Sequence, residues 1–175
     1  MQQQNNFKNF DRLGINLLLG FYSFNTFHDN GLDTFGFFDA SGTSYHKGVI
    51  RKSLFEIKCN KEYTNNCTHS IITKADFDKL LANTPSDVDI FYICFTDTQT
   101  NVFNLRKVAA DPSVYYTKTI KNKSTEMNAN SNYRDEEIIY LNRLMCRQKR
   151  YLKRHFKGAL TFGYNIDNAL QMRYY

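Results

Sequence analysis

Leu54-Phe55-Glu56-Ile57-Lys58 closes an apolar run that predicts a β-strand. Side chains alternate along a strand with period two, so Glu56 and Lys58 should share one face. Upstream, Thr34–Phe38 is aromatic and predicts a second strand, and the turn-rich segment 39–44 predicts the loop that joins the two. The sequence therefore predicts a β-hairpin that carries a carboxylate and an ammonium at the far end of its second strand.

The position of a second carboxylate follows from the predicted loop. Residues equidistant from a hairpin turn lie opposite each other, and Asp33 and Glu56 are symmetric about the Ser44/Tyr45 midpoint. Asp39 is the alternative partner if the register differs, although a turn-forming role is the favoured interpretation for it. Two carboxylates beside a lysine have the chemistry of a divalent-metal site for phosphodiester hydrolysis. The competing interpretation is an exposed cross-strand charge pair of little energetic value.

The rest of the chain predicts alternating helices and strands. Thr73 is a predicted N-cap with Asp76 three residues later, for a helix that ends near Asn83. The near-continuous apolar run Val88–Phe95 predicts a strand that is covered on both faces. The further elements predicted from periodicity are an amphipathic helix over about 7–20, strands over 102–105 and 114–120, and a long helix from Asp135 onward.

This order of elements, with Asp33 leading into a strand and Glu-x-Lys closing the next, resembles the PD-(D/E)XK nuclease superfamily. The resemblance runs from the first helix to about Leu105. It implies an α/β fold with a restriction-endonuclease-like core, in which helices flank a mixed central β-sheet. It also implies that Asp33, Glu56 and the main-chain carbonyl of Ile57 hold Mg²⁺ or Mn²⁺, and that Lys58 positions or helps to deprotonate the attacking water. The motif's proline is absent before Asp33.

The segment 143–157 is strongly basic and contains no acidic residue. On a helix that begins with Asp135, acid first and base last also matches the helix dipole, so a solvated face is the alternative interpretation. Clusters of this kind dominate non-specific affinity for phosphate backbones. The predicted DNA-binding residues are Lys74, Arg147, Lys149, Arg150, Lys153 and Arg154.

Length and composition favour one globular domain of 175 residues, with a core over about 7–120 and a C-terminal helical extension over about 135–175. The formal charge of +6 favours a polyanionic partner only moderately. No apolar run is long enough to span a bilayer, and no secretory signal opens the chain, so we expect a cytoplasmic protein with reduced thiols. The abundance of Asn, Lys, Tyr and Phe favours an AT-rich source, such as a phage or a low-GC bacterium.

The sequence thus predicts a Mg²⁺-dependent deoxyribonuclease whose partner is DNA. A homodimer would fit this function, since double-strand cleavage takes two active sites. Two alternatives remain open at this point. The first is a non-catalytic nucleic-acid-binding module of similar fold. The second is a structural or interaction protein, such as a phage assembly component, in which the basic segment contacts another protein.

Overall fold

The computed structural model describes residues 14–16, 18–19, 22–30, 37–59, 69–95, 99–123, 133–143 and 146–150. Residues 14–16 and 18–19 are helical, which agrees with the predicted first helix where it is described. Two longer helices are α1 (Lys74–Asn83) and α2 (Leu105–Ala110), followed by a 3₁₀ turn at Pro112–Val114. The strands are β1 (Thr26–Asp29), β2 (Ala40–His46), β3 (Val49–Cys59), β4 (His69–Thr73), β5 (Val88–Phe95), β6 (Gln99–Asn104), β7 (Tyr115–Lys123), β8 (Tyr133–Asn142) and β9 (Arg147–Arg150).

The strands form two sheets. The larger sheet has the order β1-β2-β3-β5-β6-β9, and the smaller one has the order β4-β8-β7. Within the larger sheet β3 and β5 are parallel, whereas the other neighbours are antiparallel. A parallel pair needs a crossover connection, and α1 lies within it. The predicted α/β class with a mixed central sheet is confirmed.

Apolar side chains cover both faces of the larger sheet. On one face Phe55, Ile57 and Ile93 pack beneath the first helical segment, which contributes Ile15 and Leu18. On the other face α1, α2 and the smaller sheet meet the side chains of β5 that alternate with these. The predicted double coverage of Val88–Phe95 is therefore confirmed, and Cys94 is a buried free thiol as expected.

Helix α1 begins and packs as the sequence predicts. The Thr73 hydroxyl accepts a hydrogen bond from the Asp76 amide at 3.0 Å, which satisfies one of the free N–H groups of the first turn. Phe77 and Leu80 are the buried residues of the helix, one turn apart on one face. Burial of two such side chains contributes roughly 2–3 kcal/mol each in transfer free energy.

The loop between α1 and β5 is held in place by one guanidinium. Arg106 of α2 donates hydrogen bonds to the carbonyl groups of Thr84 and Val88 at 2.9 and 2.8 Å, and also to the carbonyl of Pro85. Arg106 is itself positioned because Asn104 caps α2 and accepts from its amide at 3.1 Å. The entry to β5, which pairs with β3, is therefore fixed by side-chain contacts.

The predicted position of the loop in the β2–β3 hairpin is wrong. The segment that was expected to turn is part of β2, and the loop consists of Lys47 and Gly48, both with positive φ (49° and 84°). This matches the two-residue turns that suit the twist of a hairpin. Gly42 looked like a turn residue, but a Cβ there would lie 2.9 Å from the Thr26 carbonyl, so it marks the close approach of β1.

The predicted long basic helix is also wrong wherever it is described. Residues of Tyr133–Asn142 form a strand that pairs with both neighbours in the smaller sheet, and Arg147–Arg150 pairs with β6 at the edge of the larger sheet. Ile138 and Ile139 are consecutive and both buried, so both faces of the strand are covered at this point. β-Branched residues also favour strands. The spacing of three and four residues fitted a helix by coincidence. Residues 151–175 lie outside the described residues.

Candidate metal centre

Glu56 and Lys58 lie next to each other at the end of β3, as predicted. The Lys58 ammonium is 2.6 Å from a Glu56 carboxylate oxygen, Oε1. The side chain of Glu56 is only 9% exposed, whereas that of Lys58 is 52% exposed. The Glu56 carboxylate is thus buried, and the Lys58 side chain that contacts it is partly exposed to solvent.

The carboxylate that joins Glu56 is Asp39. The hairpin register pairs Ala40 with Phe55, and the Asp39 amide continues this ladder by donating to the Phe55 carbonyl at 2.9 Å. The Asp39 side chain then accepts a hydrogen bond from the Ile57 amide at 2.6 Å through Oδ2. Its carboxyl group is also close enough to Glu56 to share a hydrogen bond with it. The alternative partner named from the sequence is therefore the one that the register selects.

The expected pairing of Asp33 with Glu56 rested on a loop centred at Ser44/Tyr45, and the observed Lys47–Gly48 loop shifts the register away from it. Asp33 itself lies outside the described residues. Asp39 does not form the turn that was expected of it. Its carbonyl accepts from the Asn30 amide at 3.0 Å, which anchors it to the end of β1. Asp39 is therefore fixed from both sides.

Burial sets the charge state of this cluster. It raises the pKa of Glu56 to about 7, because the attraction of Lys58 offsets the loss of hydration only in part and Asp39 adds repulsion. Burial also raises the pKa of Asp39, although the Ile57 amide and Lys58 favour its ionised form. Both carboxyl groups are therefore harder to ionise than they would be in water, chiefly because they are buried.

Lys58 responds in the opposite sense. Burial alone would lower its pKa, but the charge and hydrogen bond of Glu56 outweigh that effect, with Asp39 and Asp76 adding to it, so the pKa of Lys58 is raised. Lys58 is therefore a firmly protonated cation in this arrangement. Asp76, which the sequence indicated only as a capping residue, acts on the cluster because α1 begins beside it.

The donor set fits a hard divalent cation. Carboxylate and carbonyl oxygens are the ligands of Mg²⁺ and Mn²⁺. A cation between Asp39 and Glu56 would offset the loss of hydration that chiefly raises the pKa of Glu56, and also the smaller repulsion from Asp39. The main-chain carbonyl of Ile57 is the third ligand that the resemblance implies. Within the described residues no three His, Cys, Asp or Glu side chains form a metal-holding group. A metal here would rest on two carboxylates, backbone and water.

Of the predicted DNA-binding residues, the structure describes Lys74 and the backbones of the three that lie in β9. Lys74 begins α1 and makes an ion pair with Asp78 one turn later, so it is engaged along its own helix. The backbones of Arg147, Lys149 and Arg150 lie in β9, where the spacing that would group arginines on a helical face does not apply. Lys153 and Arg154 lie outside the described residues.

A cavity of about 520 Å³ opens on the face of the sheet that carries Phe55 and Phe91, whose rings stack at 5.8 Å. Glu56 and Lys58 alternate with Phe55 along β3 and therefore point to the other face. The cavity is thus separate from the carboxylate cluster.

Comparisons with family models, with curated proteins and with solved structures find no match to this chain. None of the helices in the described part of the chain has the length and apolarity that crossing a bilayer requires.

Proposed function

We propose that this chain is a divalent-metal-dependent endonuclease that hydrolyses phosphodiester bonds in DNA. The observation that carries the proposal is the meeting of Asp39, Glu56 and Lys58 at the end of β3, with the pKa of Glu56 raised to about 7. Strongly perturbed carboxyl groups with a specific charged partner are typical of catalytic sites, although ion-pair networks also produce them.

The order of elements supports the same proposal. The helical residues 14–16 and 18–19, the antiparallel strands β1 to β3, helix α1 and the parallel strand β5 occur in this order along the chain, which is the order expected of a restriction-endonuclease-like core. Glu-x-Lys lies on the third of these strands, and Asp39 lies immediately before the second. Strand β4 and its partners β8 and β7 form a separate sheet that the core does not include. Membership of the PD-(D/E)XK superfamily is part of this proposal.

The residues divide the chemistry between them. Asp39, Glu56 and the Ile57 carbonyl would hold the ion, which supplies an acidified water and neutralises charge on the scissile phosphate. Glu56 must lose its proton before it can serve as a ligand. Lys58, partly exposed and firmly protonated, is suited to donate hydrogen bonds to the attacking water or to a phosphate oxygen. Its raised pKa argues against a role as the general base.

The direct test is cleavage of supercoiled, linear and branched DNA in Mg²⁺ and in Mn²⁺. Lys58→Ala should abolish cleavage, and Lys121→Ala is the matched control, because Lys121 is exposed on β7 in the other sheet. Cleavage by wild type and by the control, but not by Lys58→Ala, supports the proposal. Cleavage that persists in Lys58→Ala contradicts it.

Binding must be measured in the same experiment, because the alternative functions predict different results. A wild-type protein that binds DNA but cuts none of these substrates in either ion is a binding module. A protein that neither binds nor cuts is better explained as an interaction protein. Sedimentation with and without duplex DNA then tests whether two copies act together.

A further inference from the structure

The tip of the β2–β3 hairpin, residues Tyr45–Lys52, exposes large apolar side chains. Tyr45, Val49 and Ile50 are 65%, 58% and 62% exposed. Tyr45 and Ile50 are directly paired across the two strands, so they form one contiguous apolar contact surface. Exposed apolar groups that cluster at a projecting tip indicate an interaction site, whereas scattered ones do not.

The tip is also cationic. Residues 40–55 contain no Asp or Glu, and the tip carries Lys47, Arg51 and Lys52. Arg51 lies 3.6 Å from Asp89 and keeps 57% of its side chain exposed, so this cation remains accessible. A surface that combines apolar groups with positive charge is complementary to nucleic acid, whose phosphates surround accessible base edges.

The tip and the carboxylate cluster share one face of one strand. Even numbers of residues separate Ile50, Lys52, Glu56 and Lys58. The register of β3 is continuous, with β2 as far as Phe55 and with β5 from Lys52 onward, so these side chains point to the same face. Ile50 and Glu56 are six residues apart, which corresponds to about 20 Å along an extended strand. That length matches about six base pairs of duplex, at about 3.4 Å for each phosphate step of one strand.

We propose that the hairpin tip enters the major groove of duplex DNA about six base pairs from the scissile phosphate. A two-stranded ribbon fits a groove about 12 Å wide, with Tyr45 and Ile50 against base edges and Lys47 and Lys52 on the flanking phosphates. The inference rests on the proposed function for its substrate, and it specifies that substrate as double-stranded with a footprint extending to one side of the cut.

The apolar contact is tested by Tyr45→Ser combined with Ile50→Ser. Affinity for fluorescent duplexes is measured in EDTA, with Tyr116→Ser, an exposed tyrosine of β7, as the control. We expect affinity to fall by about fivefold to a hundredfold in the paired variant and to stay unchanged in the control. The slope of log affinity against log salt should not change, because no cation is lost. Circular dichroism establishes that the variant is folded.

The cationic contact is tested by Lys47→Ala combined with Lys52→Ala. The salt slope should shrink by about 1.8 on duplex DNA, at roughly 0.9 for each phosphate contact. Lys118→Ala combined with Lys121→Ala removes the same charge from exposed positions of β7 and should leave the slope unchanged. Equal losses in both variants would mean that only net charge matters, and they would overturn the inference.

Duplex length provides the third arm. Wild-type affinity should rise steeply as the duplex becomes long enough to span both contacts, and the Tyr45/Ile50 variant should lose this rise. Full affinity in that variant would overturn the inference. A wild-type dimer that becomes a monomer when Tyr45 and Ile50 are replaced would also overturn it, because the tip would then serve self-association.

These outcomes are separable from those of the proposed function. If wild type cleaves DNA in Mg²⁺ but the tip variants bind normally, only the inference fails. If wild type never cleaves but the tip variants lose duplex affinity, the nuclease proposal fails, and with it the distance to a cut, whereas binding of duplex DNA by the tip stands.

Discussion

The two ends of strand β3 differ in how far their residues are buried: Glu56 is 7% exposed and Ile50 is 62% exposed. At one end Glu56 is buried beside Asp39 and carries a raised pKa, and Asp39 accepts a hydrogen bond from the Ile57 amide. At the other end Ile50 and its partner on β2, Tyr45, are mostly exposed, and the nearby cations face solvent. The same strand therefore carries a buried charge cluster at one end and an exposed contact surface at the other. Substitutions in the cluster should affect cleavage, and substitutions at the hairpin tip should affect binding of DNA.

The largest expected effect concerns the carboxylate that joins Glu56. Asp39→Asn should reduce cleavage by about a thousandfold or more, because the loss of a charge-stabilising ligand acts on the transition state. Asp33→Asn should leave cleavage within about twofold, since the hairpin register brings Asp39 rather than Asp33 opposite Glu56. Single-turnover cleavage of the two variants compares them directly, and the reverse ranking would refute the assignment of Asp39.

The second effect is on the pH dependence of cleavage. Glu56 must be ionised to bind metal, and its pKa is raised to about 7, so protons compete with the ion below neutrality. Cleavage at limiting metal should fall about tenfold for each pH unit below 7, and saturating Mn²⁺ should shift the profile to lower pH. A profile flat from pH 5 to 8 would show that Glu56 is not a ligand.

The third effect is on the stability of the metal-free protein. The folded pKa of Glu56 lies above the unfolded value of 4.5, so the folded state binds this proton more tightly and loses stability as pH rises from about 4.5 to 7. Glu56→Gln should therefore raise the free energy of unfolding at pH 8 by about 1–3 kcal/mol and change it little at pH 4.

Two substitutions, one at the hairpin tip and one at an exposed carboxylate, serve as controls for the stability of Glu56→Gln. Tyr45→Ser should change stability by less than about 0.5 kcal/mol at either pH. Glu137→Gln replaces an exposed carboxylate of β8 and should leave the pH dependence unchanged. Urea unfolding at both pH values would contradict the third prediction if Glu56→Gln were no more stable than wild type at pH 8.

The sequence predicted the Glu56 and Lys58 pair correctly, but not the register of the hairpin that brings a second carboxylate beside it. Glu56 and Lys58 could be placed because strand alternation is local and the apolar run around them is strong. The identity of the second carboxylate depended on where the hairpin turns. The observed turn lies three residues later than expected, so the residue opposite Glu56 changes by six positions, from Asp33 to Asp39. Lys47 gives no turn signal by residue type, and Gly42 gave a false one because it accommodates β1.

The C-terminal prediction failed for a different physical reason. Ile138 and Leu141 satisfy helical spacing, but Ile139 between them is also buried, and pairing with β4 and β7 decided the outcome. Non-local strand partners leave no periodic signature in their own segment, so tertiary context overrides local pattern. Helix α1 was predictable because its cap and its apolar face both lie within its own sequence.

The smallest expected effect is at the turn itself. Gly48 has φ near 84°, and a Cβ there would have open space, so Gly48→Ala carries only a backbone penalty of about 1 kcal/mol. Lys47→Asn should stabilise the hairpin by a few tenths of a kcal/mol, roughly, since Asn tolerates positive φ better. Thermal unfolding should rank the two variants on either side of wild type. Two destabilised variants would contradict the turn geometry.

The two-residue turn has a consequence for the order of folding events. A tight hairpin closes in roughly 1–10 μs, whereas the parallel pairing of β3 with β5 must wait for the chain through α1 to close its loop. The contact of Asp39 with the Ile57 amide belongs to the hairpin, so we expect it to form before Asp76 arrives. Gly48→Ala should then slow folding and leave the unfolding rate unchanged in stopped-flow measurements. An effect on unfolding alone would place the hairpin late, after the sheet has assembled around it.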